Sequence, residues 1–408
     1  MSEPAEGAKS LLLGAFGDPG HAFPMLALGE ALVARGHDVT LQTWGRWRND
    51  VETGGMRFAP APEYHVFPTR GRAMKPYEAV THAARETEPL IAALRPDAVV
   101  ADILTLAPAL AGELAGVPGA TLVPHVYPAG APGQPPYSLG ARLPRSAAGR
   151  ALWRGLAHPV EGGLRRGRTE LNGTRARLGL DPVTRLHGGL SERLCLVATF
   201  PQLEYPRRWP AGTRVVGPLL WEPPAEDIEL PPGDDPLVLV APSTSQDREH
   251  RLLRAALRGL ARLPVRVLAT TNRRGAPLPA LYVPANARLV SWLSYARTMH
   301  ACDLVVCHGG HGTVMRALSC GCAVVACPAA GDMNENAARV DWAGVGVRLP
   351  GRFCTAAGVR LAVQRALADD GRRARSHELA RWAAAHDGAT LACELVEDLA
   401  AGADRAPA

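Results

Sequence analysis

A histidine, three glycines and a threonine follow one short apolar stretch, in an order typical of an anion-binding turn. The stretch Leu304–Cys307 is too short for a helix and is bounded by His308, so it predicts a strand buried on both faces. Helical spacing resumes at Thr313, and the glycines leave the backbone before it uncovered, so free N–H groups should point out of the helix start. These glycines are Gly309, Gly310 and Gly312. Such a helix start holds a diphosphate through its N–H groups and dipole, unless the turn is a plain connection that binds nothing.

A second strand and a second polar loop follow directly. The apolar stretch Cys322–Pro328 predicts another buried strand, and the polar stretch Gly331–Asn336 predicts the loop by which the chain leaves it. Two successive parallel strands therefore present polar loops at one edge of a sheet, where α/β proteins bind ligands. Earlier in this half, the loop after the apolar stretch Leu237–Val240 carries Thr244, whose hydroxyl can bond to a phosphate at the same edge.

The N-terminal half places a histidine at the end of its first predicted strand. The pattern predicts a strand at Ser10–Phe16, a loop at Gly17–His21, a helix at Phe23–Arg35 and a strand at Asp38–Thr43. The glycines fall at positions 14, 17 and 20 and no acidic residue ends the second strand, so the dinucleotide-binding fingerprint is absent. His21 is then either a general base or the cap of a helix.

An aspartate stands where it can meet this histidine. The segment Arg95–Asp102 predicts a strand whose carboxyl end carries Asp102, and in a parallel sheet that end lies at the same edge as His21. A carboxylate there can orient the imidazole and stabilise its cation. Asp97 precedes the strand and lies at the opposite edge, so we interpret it as structural.

The segment from Trp292 to Asp332 resembles the donor-binding motif of the inverting, GT-B-fold glycosyltransferases of the plant and actinomycete UDP-glycosyltransferase type. The resemblance implies that Trp292 stacks on the nucleotide base, that the histidine of H-G-G contacts the diphosphate, and that Asp332 touches the donor sugar. It also implies that the Gly-His-x-x-Pro segment carries the catalytic base His21, with Asp102 as its partner. With Thr244 added, the predicted donor-binding residues are Trp292, Leu293, His308, Gly309, Gly310, Gly312, Thr313, Asp332, Met333 and Thr244.

Two positions depart from the pattern of that family. Arg316 stands where many members carry a glutamate that clamps the ribose hydroxyls, and Met333 stands where they have the glutamine of an Asp-Gln pair. A thioether cannot donate a hydrogen bond and accepts only weakly, so this position favours a deoxysugar, which in the family usually arrives on dTDP. In the alternative, Met333 packs inward and another group contacts the sugar.

Length and composition predict two soluble α/β units. The 408 residues are enough for two domains, and 47% hydrophobic with 21% charged residues is the balance of a soluble globular protein. The resemblance implies a GT-B fold, in which two Rossmann-like domains with parallel sheets face each other across a cleft. The predicted divisions are an acceptor-binding domain at 1–220, a linker at 221–236, a nucleotide-sugar domain at 237–385, and a tail at 386–408 that crosses back.

The remaining features mainly exclude classes of partner. The net charge of +6 comes from arginines interspersed with acidic residues, without an aromatic-interleaved basic motif, so no nucleic acid is expected. The sequence shows neither a signal peptide nor a membrane span, which predicts a cytoplasmic protein without a stable membrane anchor. The eight cysteines lie mostly in apolar stretches and lack zinc-site spacing, so we predict no disulfide and no metal. The oligomeric state stays open, a homodimer included.

The predicted function is that of a metal-independent, inverting glycosyltransferase of the hexosyltransferase type. It would need no cofactor besides its co-substrate, a dTDP- or UDP-linked sugar, and would transfer the sugar to a small aglycone in antibiotic or other secondary metabolism, as the resemblance implies. One alternative is a nucleotide-sugar epimerase of related fold, against which the long excursion at 127–180 argues. Another is a non-catalytic nucleotide-sugar-binding helper, against which the presence of both His21 and Asp102 argues.

Overall fold

The fold consists of two parallel β-sheets with helices packed against them. The computed structural model describes residues 7–62, 76–243, 247, 249–329 and 331–402. Every strand pair within these ranges is parallel. The predicted α/β class with two parallel sheets is therefore confirmed.

The first sheet has seven strands in the described part of the chain. They are β1 (Ser10–Gly14), β2 (Asp38–Thr43), β3 (Arg57–Pro60), β4 (Ala98–Asp102), β5 (Gly119–Val123), β6 (Leu194–Val197) and β7 (Thr213–Val215). They lie in the order β3-β2-β1-β4-β5-β6-β7. The direction of winding reverses between β1 and β4, so the carboxyl ends of these two strands border a crevice that is open to a ligand.

Five helices accompany this sheet in the described residues. They are α1 (Pro19–Ala34), α2 (Arg48–Thr53), α3 (Pro76–Leu94), α4 (Leu106–Leu114) and α5 (Ala147–Leu178). Leu13, Leu26 and Leu41 are fully buried between α1 and the sheet, as the apolar stretches around them predict. The predicted arginine-rich helical part of the excursion is α5, which is 32 residues long.

The second sheet has six strands among the described residues. They are β8 (Leu237–Ala241), β9 (Arg266–Thr270), β10 (Ala287–Val290), β11 (Leu304–Cys307), β12 (Ala323–Ala326) and β13 (Gly346–Arg348). Their order is β10-β9-β8-β11-β12-β13. Winding reverses between β8 and β11, and the predicted anion-binding turn follows β11. Both halves of the molecule therefore place their candidate residues where the winding of a sheet reverses.

Seven helices follow in the second half of the described chain. They are α6 (Arg251–Leu260), α7 (Tyr295–Thr298), α8 (His311–Ser319), α9 (Asp332–Trp342), α10 (Ala356–Leu367), α11 (Asp370–Ala385) and α12 (Gly388–Ala400). The last of these, α12, returns to the first sheet. Its residues Ala392, Cys393 and Val396 are buried in the N-terminal core, and Glu397 bonds to Arg35 at 2.6 Å.

Three predicted boundaries near the candidate residues are wrong. The first helix begins at Pro19 and not at Phe23, because Pro19 takes the first helical turn and the later Pro24 is accommodated inside the helix. The helix after the glycine turn begins at His311 and not at Thr313, with Gly310 as its cap. The predicted polar loop Gly331–Asn336 forms the start of α9.

Two further features concern the chain as a whole. The eight cysteines, all of which lie in described ranges, are free thiols, and seven of them are buried. Burial raises the pKa of the Cys195 thiol to about 12, as expected for a cysteine that packs as a small apolar side chain. None of the helices in the described ranges is both long and apolar enough to span a bilayer.

Candidate active site

His21 and Asp102 meet at the carboxyl edge of the first sheet, as the parallel topology predicts. His21 Nδ1 lies 2.8 Å from Asp102 Oδ1, and Asp102 Oδ2 accepts a hydrogen bond from the N–H of Phe16 at 3.2 Å. The His21 side chain is 18% exposed, whereas that of Asp102 is fully buried. Because a carboxylate oxygen only accepts, Nδ1 carries the proton and Nε2 keeps a lone pair.

The surroundings of His21 raise its basicity. Burial alone would lower the pKa of the imidazole, but the hydrogen bond to Asp102 and the charge of that carboxylate outweigh it, so the pKa lies above 6.5. The carboxylates of Asp18 and Asp332 act in the same direction. Asp332 belongs to α9, in the second half of the chain, so its charge reaches His21 from the opposite side of the cleft.

Two further polar rings lie beside His21, and the sequence alone did not single them out as site residues. The ring of His125, just after β5, is 6.3 Å from that of His21, and it stacks on Tyr137 at 5.5 Å. The Tyr137 hydroxyl lies 3.1 Å from His125 Nδ1, which also contacts the carbonyl of Val126 at 2.8 Å. Burial lowers the pKa of His125, so this ring is neutral where that of His21 gains a proton.

The glycine turn after β11 has the backbone geometry of an anion site. Gly309 has φ +79°, a left-handed conformation that favours glycine. A Cβ at Gly310 would overlap His308 Nε2, so only glycine lets that ring lie over the helix start. Gly312 lies in the first turn of α8, is exposed, and would have no atom within 4 Å of an added Cβ. The first N–H groups of α8 are therefore open to a ligand.

His308 is fixed by the neighbouring strand. Its Nδ1 lies 3.3 Å from the carbonyl of Ala241, the last residue of β8, so Nδ1 donates the hydrogen bond. The Nε2 atom, over Gly310, is then unprotonated in the neutral ring. Burial lowers the pKa of His308, while the bond to Ala241 and the charge of Asp332 oppose that shift.

Thr313, the threonine of the turn, lies near the hydroxyl of Tyr295. Burial raises the pKa of the Tyr295 hydroxyl, and hydrogen bonds with Asn272 and Thr313 oppose that rise. The distance from Tyr295 Oη to Asn272 Oδ1 is 2.9 Å. Thr313 therefore lies near the Tyr295 hydroxyl, which Asn272 holds.

Asp332 and Met333 occupy the first turn of α9, opposite the glycine turn. Both are half-buried, and an added Cβ at Gly309 would lie 3.1 Å from the carbonyl of Met333. Asn336, one turn further on, donates from Nδ2 to the carbonyl of Gly309 at 2.9 Å. The start of α9 and the glycine turn thus form one packed unit, which the sequence prediction described as two separate loops.

The other predicted donor-site residues follow β10 and β8. Trp292 is half-buried, and its Nε1 is buried without a hydrogen-bond partner among the described residues. The indole N–H therefore points into the protein and is not available to a ligand. Leu293 is buried in the apolar core. Thr244 lies outside the described residues.

Contacts between the two halves hold the cleft together. His311 Nε2 lies 3.1 Å from the carbonyl of Ala198, directly after β6, and burial lowers the pKa of this histidine to about 4. Arg339 of α9 is 3% exposed and reaches the carboxylate of Glu204 at 3.3 Å. These contacts join α8 and α9, which carry the glycine turn and Asp332, to the half of the chain that carries His21.

Arg339 has further buried partners. Its Nε bonds to Glu335 Oε1 at 2.8 Å, its Nη1 donates to the carbonyl of Leu203 at 3.0 Å, and its guanidinium lies 3.4 Å from the ring centre of Tyr205. Burial raises the pKa of Glu204, with the charge of Arg339 opposing the rise. One cation therefore serves two buried carboxylates.

Comparisons with known proteins identify the family of the chain. Residues 254–401 match the family model described as the C-terminal domain of erythromycin biosynthesis protein CIII-like proteins. The chain is 31% identical to 4'-demethylrebeccamycin synthase of Lentzea aerocolonigenes, over 96% of this chain and 100% of that protein.

Solved structures share the fold over the whole chain. The glycotransferase of kitacinnamycin has a TM-score of 0.75 at 21% identity, covering 96% of this chain and 99% of its own. The glycosyltransferase VinC in complex with dTDP has a TM-score of 0.69 at 18% identity, covering 96% and 99%. The predicted GT-B fold is confirmed by these structures.

Proposed function

Since the chain belongs to the actinomycete natural-product glycosyltransferases of family 1, we propose that it is an inverting enzyme whose general base is His21. The observation that carries the proposal is the placement of two complementary half-sites across one cleft. A histidine held by Asp102 lies on one side, and the open start of α8, with Asp332 beside it, lies on the other. The charge of Asp332 reaches both His21 and His308.

In the proposed reaction His21 Nε2 removes the proton from an acceptor hydroxyl as that oxygen attacks the anomeric carbon. Asp102 keeps the proton on Nδ1 and balances the charge of the imidazolium. The nucleotide diphosphate leaves against the first N–H groups of α8, which stabilise the charge that develops on it without a metal ion. The acceptor would be a small natural-product aglycone bound on the side of the N-terminal sheet.

The test is product analysis with a dTDP-sugar and a panel of aglycones. An inverting transferase yields a glycoside whose anomeric configuration, read from the NMR coupling of the anomeric proton, is opposite to that of the donor. Retention of the configuration would contradict the proposal. An epimerase would instead release an altered nucleotide sugar without an aglycone, and a helper protein would bind the nucleotide sugar unchanged.

The pH dependence of kcat/KM tests whether Asp102 tunes the pKa of His21. Because only neutral His21 can accept a proton and its pKa is raised above 6.5, kcat/KM should rise with pH through that raised pKa and then level off. Asp102→Asn removes the charge that raises the pKa and leaves burial, which lowers it. We therefore expect the rising limb to move to lower pH, with a lower plateau.

Asp97→Asn is the matched control for this experiment. Asp97 accepts a hydrogen bond from the N–H of Ser10 at 2.8 Å, at the opposite edge of the same sheet. Its replacement should lower thermal stability and leave the pH limb in place. An unshifted limb in Asp102→Asn would mean that this carboxylate does not tune His21.

Three substitutions test the diphosphate site. Trp292→Ala and His308→Ala should each weaken nucleotide diphosphate binding by about fivefold or more, because the first loses a stacked ring and the second, at pH values where His308 is protonated, loses a charged hydrogen bond. Gly312→Ala meets no protein atom and improves helix propensity, so an affinity loss there would arise from contact with the ligand. Calorimetric titration with dTDP and UDP measures all three.

The control for the glycine is Gly173→Ala in α5, which also meets no atom within 4 Å. If Trp292→Ala, His308→Ala and Gly312→Ala all bind nucleotide diphosphate as tightly as the wild type does, the turn is only a connection. Since Nε2 of His308 must gain a proton to donate to a phosphate, binding should also strengthen as pH falls, and His308→Ala should lose that dependence.

Met333 leads to a prediction about the sugar. A sugar hydroxyl buried against a thioether would lose its hydrogen bond at a cost of about 1 to 3 kcal/mol, whereas a deoxygenated carbon would not. We therefore expect a dTDP-deoxysugar to exceed UDP-glucose in kcat/KM by roughly five- to a hundredfold. The dTDP bound in the related VinC structure supports that choice of nucleotide.

Competition between the two donors in one reaction mixture measures this preference directly. Met333→Gln restores a group that can donate and should narrow the ratio. A clear preference of the wild-type enzyme for UDP-glucose would show that Met333 packs inward and that another group contacts the sugar.

A further inference from the structure

The first two thirds of α5 lie on the surface of the N-terminal domain, exposed or half-buried. No residue of 147–170 is buried, although one face of this part is half-buried and Arg168 donates to the carbonyl of Thr184; Leu171 is the first buried residue. Three large apolar side chains on this part are exposed: Leu152 by 60%, Leu156 by 44% and Val160 by 40%. Their spacing of four residues places them in one row along the helix.

The same part of the helix, together with Arg145 before it, is locally basic. Between residues 145 and 168 there are six arginines and one glutamate, a net charge of +5, against +6 for the whole chain. The arginines are Arg145, Arg150, Arg154, Arg165, Arg166 and Arg168. Arg154 and Arg166 have no ion-pair partner within the described part of the chain. Glu170 lies just after this window, and five arginines with two glutamates give residues 147–170 a net charge of +3, so this helix is a local cationic surface.

This part of α5 has a low intrinsic preference for the helical conformation in water. Six residues of low helix propensity lie within it: Gly149, Gly155, Pro159, Gly162, Gly163 and Gly167. Each disfavours a helix in water, and no tertiary packing of the exposed row compensates for them. An amphipathic basic helix of this kind gains stability when its apolar row enters an interface.

Charge decides which interface this is. A second copy of the chain would bring the same arginines together, which disfavours a symmetric contact through this helix. Nucleic acid would pair with the arginines and leave the leucines exposed to water. A bilayer that contains anionic lipid provides partners for both the arginines and the apolar row, because its phosphates bind the arginines and its headgroup boundary buries the apolar row.

We propose that residues 147–168 dock this protein reversibly on an anionic membrane surface. Leu152, Leu156 and Val160 enter the headgroup boundary, and the arginines contact the lipid phosphates. The contact is peripheral and involves no span. It places the domain that carries His21 beside the bilayer, and it is independent of the proposed reaction.

Flotation of the full chain with vesicles tests this surface. Binding is expected to vesicles of phosphatidylcholine with phosphatidylglycerol, to be weak with phosphatidylcholine alone, and to be lost in high salt. Leu156→Glu should weaken it by about tenfold, since burial of one leucine side chain is lost. Arg154→Ala with Arg166→Ala should weaken it by about 25-fold, roughly fivefold per arginine.

Matched controls come from α10, on the other domain. Leu361 is 64% exposed there, and Arg360 and Arg365 are exposed. Leu361→Glu, and Arg360→Ala with Arg365→Ala, should leave vesicle binding unchanged. All of these positions are on the surface, so the variants should fold and retain transfer to a dissolved acceptor.

Three results would overturn the proposal. The first is the absence of flotation with anionic vesicles at low salt. The second is an equal effect of the α5 and α10 variants. The third is retention of the protein by polyglutamate or by DNA without any binding to vesicles, which would assign the helix to an acidic protein or to nucleic acid.

Discussion

Replacing His21 with alanine is expected to lower kcat by a hundred- to ten-thousandfold while nucleotide diphosphate affinity stays unchanged. Removal of a general base has an effect of this size because the acceptor hydroxyl must then lose its proton to water. Donor affinity should persist because the proposed diphosphate site is the start of α8, on the other domain. Steady-state kinetics for transfer and calorimetry for dTDP separate the two effects.

Two measurements distinguish a base from a helix cap. His21 lies in the first turn of α1, so loss of a cap would lower thermal stability and leave kcat near normal. His37 offers a matched control, because its Nε2 bonds to the Glu397 carboxylate at 2.7 Å far from the cleft. His37→Ala should lower stability alone. If His21→Ala behaves like His37→Ala, the proposed mechanism is wrong.

The strands, and the candidate site residues at their ends, could be predicted from the sequence. Parallel strands that are buried on both faces have short, continuous apolar sequences. The strand Leu304–Cys307 and the aspartate at the end of β4 were located in this way, and topology then placed Asp102 beside His21. Helix starts were less accessible. Two prolines compete for the first turn of α1, and local sequence does not decide between them.

The start of α9 shows a second limit. Apolar periodicity identifies a helix only when its buried face is apolar, but the buried face of α9 includes Glu335, Asn336 and Arg339. The segment therefore looked like a loop. The partners of Asn336 and Arg339, which are Gly309 and Glu204, lie far away in the sequence, and no local pattern records such pairings. The contacts that close the cleft are of this kind.

The buried network around Arg339 leads to the second large expected effect. Arg339→Met keeps most of the side-chain length but removes the guanidinium that contacts the carboxylates of Glu204 and Glu335, which are 2% and 3% exposed. Breaking a buried ion pair in this way costs about 3 to 5 kcal/mol. The unfolding midpoint should fall by on the order of 10 °C. Arg373→Met, which removes an exposed pair with Asp370, should change it little.

The pH dependence of the stability lost in Arg339→Met identifies the cause of that loss. Burial already raises the pKa of Glu204 above its ordinary value of 4.5, and Arg339 opposes the rise. Removing Arg339 should therefore raise the pKa of Glu204 in the folded variant further above that in the unfolded chain. Its stability then falls as pH rises, and the deficit relative to wild type should be larger at pH 8 than at pH 5. Adding Glu204→Gln and Glu335→Gln to Arg339→Met should recover part of the midpoint. A deficit that is equal at both pH values, with no recovery in the triple variant, would mean that lost packing on Tyr205, and not uncompensated charge, destabilises the protein.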